Sequence, residues 1–320
     1  MITALLILMV LAFAWSMGAH YTGACMGMPH ASGSIRLWPA LLLMAPLTLL
    51  GAALASHRVE VTVGQGIIDA ARVTAPAAIA IVGCAFLLTT IYTYVRVPTS
   101  TIQILVFCAV GVGLAGAIPV DWTTILHLAV LWVLAPLVAC GLGYVFTHIV
   151  DAIAPEAKGA QSKGGLLPVL LVVVGAAASF TMGSNDVSNA TGVFLMTHLF
   201  NVWTAGIIGG IGLAVGVLTW GKPLLKTVAF DIVKVDLAMA SAAQLVQALV
   251  VFTAVTFGYF TSMNQALVGA MAGTGFARGR QTVQWGTVYG ILRGWAAGPA
   301  SGLALGYLVT RLLLAMHAAV

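Results

Sequence analysis

The sequence predicts an all-α integral membrane protein built from two related halves, and three observations support this fold class. The 320 residues are 61% hydrophobic and 7% charged, with a mean hydropathy of +1.08. Such a chain has too few charged side chains to cover a water-soluble domain of this length. Many apolar runs approach the ~20 residues that cross a bilayer, and similar sequence recurs at a nearly constant spacing. We therefore expect about ten to twelve transmembrane or re-entrant helices in two repeats.

Ten apolar runs are the candidate helices. The run at 265–277 is short, and the first run lacks the basic start of a secretory leader, so we expect that first run to be a retained helix. The nine runs of near-spanning length cover residues 2–19, 37–55, 76–95, 102–120, 125–146, 165–182, 202–220, 237–258 and 287–310.

The two halves are related by a repeat. The segment MGAHYTGACMG at 17–27 aligns without a gap with MGSNDVSNATG at 182–192, an offset of 165 residues. Further matches at offsets of 162 to 165 pair 51–69 with 216–234, 97–103 with 259–265, and 134–147 with 297–310. Five apolar runs in each half, an odd number, would insert the second half upside down. We expect inverted-topology repeats at 1–150 and 166–320, joined by a polar linker loop at 151–165.

Four polar segments lie within or beside the apolar runs, at 18–34, 98–103, 183–192 and 260–265. Such segments continue a lipid-facing helix poorly, and free peptide groups at membrane depth need protein or a wet cavity around them. We therefore expect broken helices at the midplane that together enclose a pocket. Repeats whose helices are broken at the same place are typical of transporters that bind substrate at the break.

The side chains of these segments are mostly neutral hydrogen-bonding groups, which suit an anion. The segments 99–101 and 261–262 directly precede apolar runs, where N-cap residues lie, and a helix N-terminus carries partial positive charge. The alternative is that these side chains only cap or pack helices. The candidate substrate ligands are Asn185, Ser188, Asn189, Thr99, Ser100, Thr101, Thr261, Ser262, Asn264 and Thr22.

Two charged residues interrupt apolar sequence. Of the eight carboxylates, Asp186 alone falls in a polar segment at membrane depth, whereas the others, Glu60 included, lie in or beside predicted loops. Ionisable groups within a membrane are costly and usually functional, so we predict that Asp186 binds the coupling ion. Arg293 interrupts the run at 287–310, and it is predicted either as an anion ligand and charge partner of Asp186 or as a structural, snorkelling residue.

Other functional classes have little support in the sequence. It contains no HExxH, no paired carboxylates at membrane depth and no Ser-His-Asp set arranged for catalysis, so we expect no enzymatic activity. It shows no basic-aromatic pattern for nucleic acid, no metal-ligand spacing and no cofactor motif. A passive anion channel is an alternative, because it would need only a continuous wet path and weak binding.

The polar segments resemble those of a known family. GSNDVSNATG (183–192) resembles the GANDVANA-type signature of the inorganic phosphate transporter (PiT) family. VPTSTIQ (97–103) and FTSMNQ (260–265) resemble its PxSTTH segments, and GTGFARGR (273–280) also fits. The resemblance runs from about residue 10 to residue 310. It implies uptake of a tetrahedral oxyanion across a cell membrane, driven by sodium ions or protons.

The departures from the family pattern point to sulfate. Where the family carries an Asn-Asp pair in both breaks, the first break has His20 and Tyr21, and it is similar to the sulfate permease (CysP-like) branch. Sulfate has no proton at neutral pH, so its site needs donors and is disfavoured by carboxylates. A missing carboxylate also weakens a sodium site. We therefore favour a proton carried by Asp186, with His20 assisting, over a sodium ion at Asp186.

The resulting expectation is a multi-pass protein of the plasma or inner membrane that works as an ion-coupled symporter by alternating access. Sulfate is the favoured substrate, and inorganic phosphate is the alternative within the same family. The expected partners are the anion, the coupling cation and the lipid bilayer, with no cofactor. Orientation, stoichiometry and oligomeric state are left open, a homodimer being one expectation.

Overall fold

The computed structural model describes residues 1–95, 97, 99–154, 165–225, 235–279 and 285–316. Within these ranges the chain is helical, and an isolated antiparallel bridge joins Ile68 to Val120. The prediction of an all-α fold is confirmed for the described residues.

Among the described residues, seven α-helices lie in the first half and six lie in the second. The first half contains α1 (Ile2–His20), α2 (Thr22–Ala31), α3 (Leu37–Ala55), α4 (His57–Gln65), α5 (Ala75–Tyr94), α6 (Thr101–Gly116) and α7 (Trp122–Ile153). The second half contains α8 (Leu166–Met196), α9 (Val202–Trp220), α10 (Lys222–Leu225), α11 (Leu237–Thr256), α12 (Met263–Arg278) and α13 (Trp285–Ala315).

Eight helical segments among the described residues are long and apolar enough to cross a membrane. They are α1 together with α2, then α3, α5, α7, α8, α9, α11 and the Leu292–Ala315 part of α13. The apolar runs predicted at 37–55 and 202–220 coincide with α3 and α9. The protein is therefore a multi-pass membrane protein, while the count of ten to twelve crossing and re-entrant helices stays a prediction.

The predicted break at 183–192 is wrong, because α8 runs as one helix through the whole polar segment. The hydroxyls of Ser184 and Ser188 donate to carbonyls three residues earlier, and Thr191 donates to Val187 O at 2.9 Å. These local bonds and the burial of the segment satisfy the polar groups without unwinding the helix. In the first half the interruption is a single residue, Tyr21, between α1 and α2.

The predicted linker loop at 151–165 begins too early. Helix α7 continues to Ile153, and Asp151 on its last turn forms a bidentate ion pair with Arg278 at the end of α12. The same guanidinium reaches Asp236, the N-cap of α11, at 2.9 Å. This network orders the first residues of the predicted loop, and residues 155–164 lie outside the described residues.

The helices of the two halves pack on one another in matching pairs. α1 packs against α9 as α3 packs against α8, and α6 packs against α13 as α12 packs against α7. Gly18 lies against the backbone carbonyl of Leu213, and Gly183, 165 residues later, lies against the carbonyl of Thr48. The absence of a side chain at these glycines allows the close approach of the helix backbones. The interior of the protein therefore lies between the halves.

Candidate functional site

The three later polar segments lie close together in the interior between the halves. The first polar segment, 18–34, joins them only with the end of α1 and the first turn of α2. The end of α1 and the start of α2 meet the middle of α8, and the N-termini of α6 and α12 close the cluster. The side chains that form it are at most 6% exposed. The expected pocket-forming segments are thus neighbours in space, although α8 is unbroken.

Asn185 joins α8 to the segment before α12. Its side-chain Nδ2 donates to the Thr261 carbonyl at 2.8 Å, and the Thr261 N–H donates to Asn185 Oδ1 at 3.2 Å. The Asn185 side-chain amide therefore bonds to both the N–H and the carbonyl of Thr261. This pairing leaves the Thr261 hydroxyl free, and that Oγ1 is buried without a hydrogen-bond partner.

His20, the residue 165 positions before Asn185, makes the corresponding contact in the first half. Its Nε2 lies 3.2 Å from the Thr99 carbonyl, and its Nδ1 lies 2.8 Å from Thr93 Oγ1. Asn264 bridges the two halves here, because its Nδ2 donates to the Thr99 carbonyl at 2.9 Å and lies 3.2 Å from His20 Nε2. The Thr99 hydroxyl, like that of Thr261, is buried without a partner.

Asp186 and Tyr21 occupy equivalent positions in the two halves and lie beside each other. The Tyr21 hydroxyl lies 2.8 Å from Thr101 Oγ1, and the Tyr21 and Asn185 side chains are both neighbours of the Asp186 carboxyl group. Asn189 Nδ2 lies 3.5 Å from Asp186 Oδ1. Asp186 Oδ2 and Asn189 Oδ1 are buried without partners. Asp186 and Asn189 thus leave two unpaired acceptor oxygens on α8, whereas Thr99 and Thr261 leave two unpaired hydroxyl donors.

The helix starts beside these residues are capped as predicted. Ser100 Oγ accepts from the Gln103 N–H, and Ser262 Oγ accepts from the Gln265 N–H, both at 3.3 Å. A serine that accepts in this way keeps its own hydroxyl proton for another acceptor. Gln103 and Gln265 exchange hydrogen bonds with each other at 3.3 Å in both directions. The N-termini of α6 and α12 are therefore in contact and are related by approximate local two-fold symmetry.

Two predicted ligands are less suited to donate to an anion. The Thr22 hydroxyl donates to the Gly18 carbonyl at 2.9 Å, and the Ser188 hydroxyl donates to the Asn185 carbonyl at 3.2 Å. The hydroxyl protons of both are engaged within their own helical segments. Both residues are buried in the cluster.

Arg293 does not join the cluster. Its side chain is exposed on α13, whereas Asp186 is fully buried on α8. The prediction that Arg293 binds the anion or pairs with Asp186 is therefore wrong, because α13 presents this position to the outer surface of the protein. The position fits the structural, snorkelling role instead.

A second buried carboxylate, Glu60, was missed by the sequence interpretation. It lies on α4 and is 0% exposed, with its Oε1 3.1 Å from Ser56 Oγ and 3.2 Å from Thr191 Oγ1. Burial raises the pKa of Glu60 to about 8, although the Ser56 and Thr191 hydroxyls act in the opposite direction. The available signal was the helical spacing of Val59 and Val63. It places one face of α4, including Glu60, against α8.

Comparison with known proteins places this arrangement in a family. The model of the phosphate transporter family matches residues 17–306. The sulfate permease CysP of Bacillus subtilis (strain 168) is 28% identical over 310 residues, which cover 96% of this chain and 87% of that protein. A Mycobacterium tuberculosis (strain ATCC 25618 / H37Rv) protein named "probable low-affinity inorganic phosphate transporter" is 27% identical over 318 residues, covering 93% and 75%.

A solved structure shares the fold. It is described as the sodium-dependent phosphate transporter, and it superposes with a TM-score of 0.87 over 98% of this chain and 99% of that chain, at 21% identity. The resemblance noted in the sequence is confirmed, and with it the placement in a multi-pass, cell-membrane protein family whose named relatives are permeases and transporters. The chain belongs to the phosphate transporter family.

Proposed function

We propose that the protein is a secondary-active symporter that carries a tetrahedral oxyanion, sulfate in preference to phosphate, together with a coupling cation. The observation that carries this proposal is the pair of unpartnered, buried hydroxyls of Thr99 and Thr261 at the starts of α6 and α12. A buried donor without an acceptor costs about 1–3 kcal/mol. An oxyanion between the two helix starts would satisfy both donors at once.

The N-termini of α6 and α12 add to the attraction for an anion. Ser100 and Ser262 cap these helices while keeping their hydroxyl protons. The N–H groups of each first turn and the partial positive charge of the helix lie at the same end. Thr101 is held by the Tyr21 hydroxyl, and Asn264 is held by the Thr99 carbonyl. These four residues with Thr99 and Thr261 form the proposed anion site, which Asn185 positions through Thr261.

The preference for sulfate follows from the charge of the site. Tyr21 stands where the repeat predicts a counterpart of Asp186, so the described cluster contains one carboxylate and a phenol in place of two carboxylates. A dianion without protons cannot donate to a carboxylate, and each carboxylate repels it. The 28% identity to a sulfate permease supports this preference, whereas the phosphate transporters among the relatives support phosphate as the second candidate.

Asp186 is the proposed site of the coupling cation. Its Oδ2 and the Asn189 Oδ1 are spare acceptors on one face of α8, close to the anion site. A proton on Asp186, assisted by His20, is the favoured coupling ion, and a sodium ion at the same oxygens is the alternative suggested by the sodium-dependent structural neighbour. Cation and anion together carry less net charge through the low-dielectric interior than either does alone.

Alternating access would use the two halves as the moving parts. The matching helix pairs and the equivalent glycine contacts support repeats at 1–150 and 166–320. If these repeats are inverted in the membrane, they provide two packings that open to opposite sides around the same site. A homodimer is proposed as the assembly on the sequence expectation alone.

The test is uptake into proteoliposomes under separately imposed proton and sodium gradients. Radiolabelled sulfate should accumulate, unlabelled sulfate should compete better than phosphate, and an inside-alkaline gradient should drive the accumulation. Phosphate competing better than sulfate would reverse the substrate order. Uptake that neither saturates nor exceeds the outside concentration would indicate a passive channel.

A further inference from the structure

Helix α4 contacts two of the segments that form the proposed site, α8 and the residues that precede α12. On one side Glu60 contacts Thr191, which lies on α8 five residues after Asp186. On the other side Arg58 Nη1 donates to the Thr256 carbonyl at 2.5 Å, and Thr62 Oγ1 donates to the Gly258 carbonyl at 2.7 Å. Residues 256–258 lead directly into Thr261 and Ser262. Helix α4 therefore contacts α8 through Glu60, and it contacts the segment before α12 through Arg58 and Thr62.

The hydroxyls around Glu60 have too few protons to serve an ionised carboxylate. The Ser56 hydroxyl lies 2.6 Å from the Ala52 carbonyl and 3.1 Å from Glu60 Oε1. The Thr191 hydroxyl lies 2.9 Å from the Val187 carbonyl and 3.2 Å from Glu60 Oε1. Each hydroxyl has one proton, and the shorter distance in each case is to the carbonyl. Each proton is thus shared between a helix carbonyl and Glu60 Oε1, which receives only part of two hydrogen bonds, and Oε2 is buried without a partner.

No opposite charge compensates Glu60 within the part of the chain that the structure describes. Helices α8, α9 and α11 pack against α4, and Asp186 is the one titratable side chain in their sequences. On α4 itself, Arg58 is exposed and bonded to Thr256, and His57 is stacked on Trp203 with a centroid distance of 5.3 Å. A neutral carboxylic acid removes the conflict, because its own O–H can donate to Ser56 or Thr191.

We propose that Glu60 is a second proton-binding residue of the transport cycle, protonated while α4 packs on α8 and deprotonated when that contact opens to water. This inference rests on the proposed symport function and deepens it. The residue 165 positions later is the buried Leu225, so the second half has no equivalent carboxyl group. Each half then contributes one proton-binding carboxyl group at a non-equivalent position, Glu60 in the first half and Asp186 in the second.

Infrared spectroscopy of the protein in lipid nanodiscs tests the protonation without any transport. The wild type at neutral pH should show a protonated-carboxyl C=O band that Glu60→Gln removes and that fades as the pH rises through about 8. Asp69→Asn, which removes a carboxylate that is 40% exposed, is the matched control and should leave the band unchanged. A spectrum in which Glu60 contributes only carboxylate bands at neutral pH would overturn the proposal.

Transport tests the role in the cycle. A gradient of one pH unit supports up to about ten-fold accumulation per coupled proton. In proteoliposomes Glu60→Gln should keep sulfate exchange at equilibrium but lose the part of the accumulation that the proton gradient drives. Wild-type proton-driven accumulation by Glu60→Gln, or a loss confined to sodium-driven accumulation, would overturn the proposal. A wild type that carries neither sulfate nor phosphate would instead refute the proposed function, with the infrared result on Glu60 still standing.

If Glu60→Gln does not fold, Thr191→Val provides the second variant. It removes one hydroxyl beside Glu60 while conserving side-chain volume. The C=O band should then shift in frequency, because the acid loses one of its two hydroxyl neighbours. An unshifted band with an unchanged pH dependence would show that the carboxyl group does not use this contact, and it would overturn the proposal.

Discussion

The two equivalent contacts of the cluster, Asn185 with Thr261 and His20 with Thr99, share their positions but differ in chemistry. The amide of Asn185 pairs with both the N–H and the carbonyl of Thr261, and a carboxylate follows it in the sequence. The imidazole of His20 contacts the Thr99 carbonyl with one nitrogen and Thr93 with the other, and a phenol follows it. The difference shows that a repeat can conserve a scaffold while dividing the chemistry between its copies.

This division has a functional consequence. Both threonines present a free hydroxyl, so the proposed anion site takes donors from both halves. The acceptors, Asp186 Oδ2 and Asn189 Oδ1, belong to the second half alone among the described residues of the four segments. We expect mutations of shared scaffold positions to act alike in the two halves, and mutations of the divided positions to act differently.

The largest effect is expected where the scaffold is shared. An alanine Cβ at Gly183 or Gly18 would overlap the backbone carbonyl of Thr48 or Leu213, and neither backbone can move aside cheaply. Overpacking of this kind costs roughly 1–3 kcal/mol or more. Gly183→Ala and Gly18→Ala should lower the melting temperature, measured by fluorescence-detected size exclusion, to a similar extent.

The matched control for the glycine pair is Gly83→Ala on α5, where a Cβ would meet nothing within 4 Å. That change should be neutral or slightly stabilising, because alanine is the better helix former by roughly 0.5–1 kcal/mol. A strong effect of Gly183→Ala with none of Gly18→Ala would break the equivalence of the two scaffolds.

The next largest effect should be confined to the second half. Asp186→Asn keeps the size and one acceptor of the side chain but removes the charge on which the proposed cation site depends. We expect loss of gradient-driven accumulation, about ten-fold for one proton under a gradient of one pH unit. The variant should still elute as a folded protein, and exchange of labelled for unlabelled sulfate should persist.

Asp121→Asn is the control for Asp186→Asn, because Asp121 is a carboxylate that caps α7 at an exposed position. It should leave coupled uptake unchanged. Full accumulation by Asp186→Asn would exclude this residue as the coupling site and would leave the comparison of the halves without its main functional difference.

Making the first half resemble the second should change the choice of anion. His20→Asn together with Tyr21→Asp would place an amide and a carboxylate at positions equivalent to Asn185 and Asp186. A second carboxylate repels a dianion but accepts from a protonated phosphate. The ratio of sulfate to phosphate inhibition constants should therefore move toward phosphate, by about ten-fold for a change of 1.4 kcal/mol. The single variant Tyr21→Phe removes the hydroxyl without adding charge, and it should weaken both anions alike. An unchanged ranking in the double variant would refute the argument from charge.

The smallest effect is expected at the two caps. Ser100→Ala and Ser262→Ala each remove one N-cap and one proposed donor to the anion. Each should raise the apparent KM for sulfate by about five-fold, equivalent to roughly 1 kcal/mol. Asn201→Ala, which removes the cap of α9 through Thr204, is the control with the same type of loss away from the site. If all three variants lose folded protein equally and sulfate affinity is unaltered, the serines act as caps alone.

Much of the fold could be predicted from the sequence because hydropathy and repeats are local properties. The runs at 37–55 and 202–220 coincide with α3 and α9, and the serines before the short apolar runs are the N-caps of α6 and α12. The offset of 165 residues aligns Gly18 with Gly183 and His20 with Asn185, and the two members of each pair make similar contacts in the structure. The expectation that the polar segments meet in the interior followed from the same repeat.

The tertiary structure alone decided which polar residues find partners. Glycine and serine in α8 predicted a break, but close packing on α3 and local hydroxyl bonds keep the helix continuous. Arg293 and Glu60 were interpreted from their place in the chain, yet α13 turns the first outward and α4 folds the second against Thr191. Composition measures how costly a side chain is in lipid, whereas the neighbouring helices determine whether that side chain ever meets lipid.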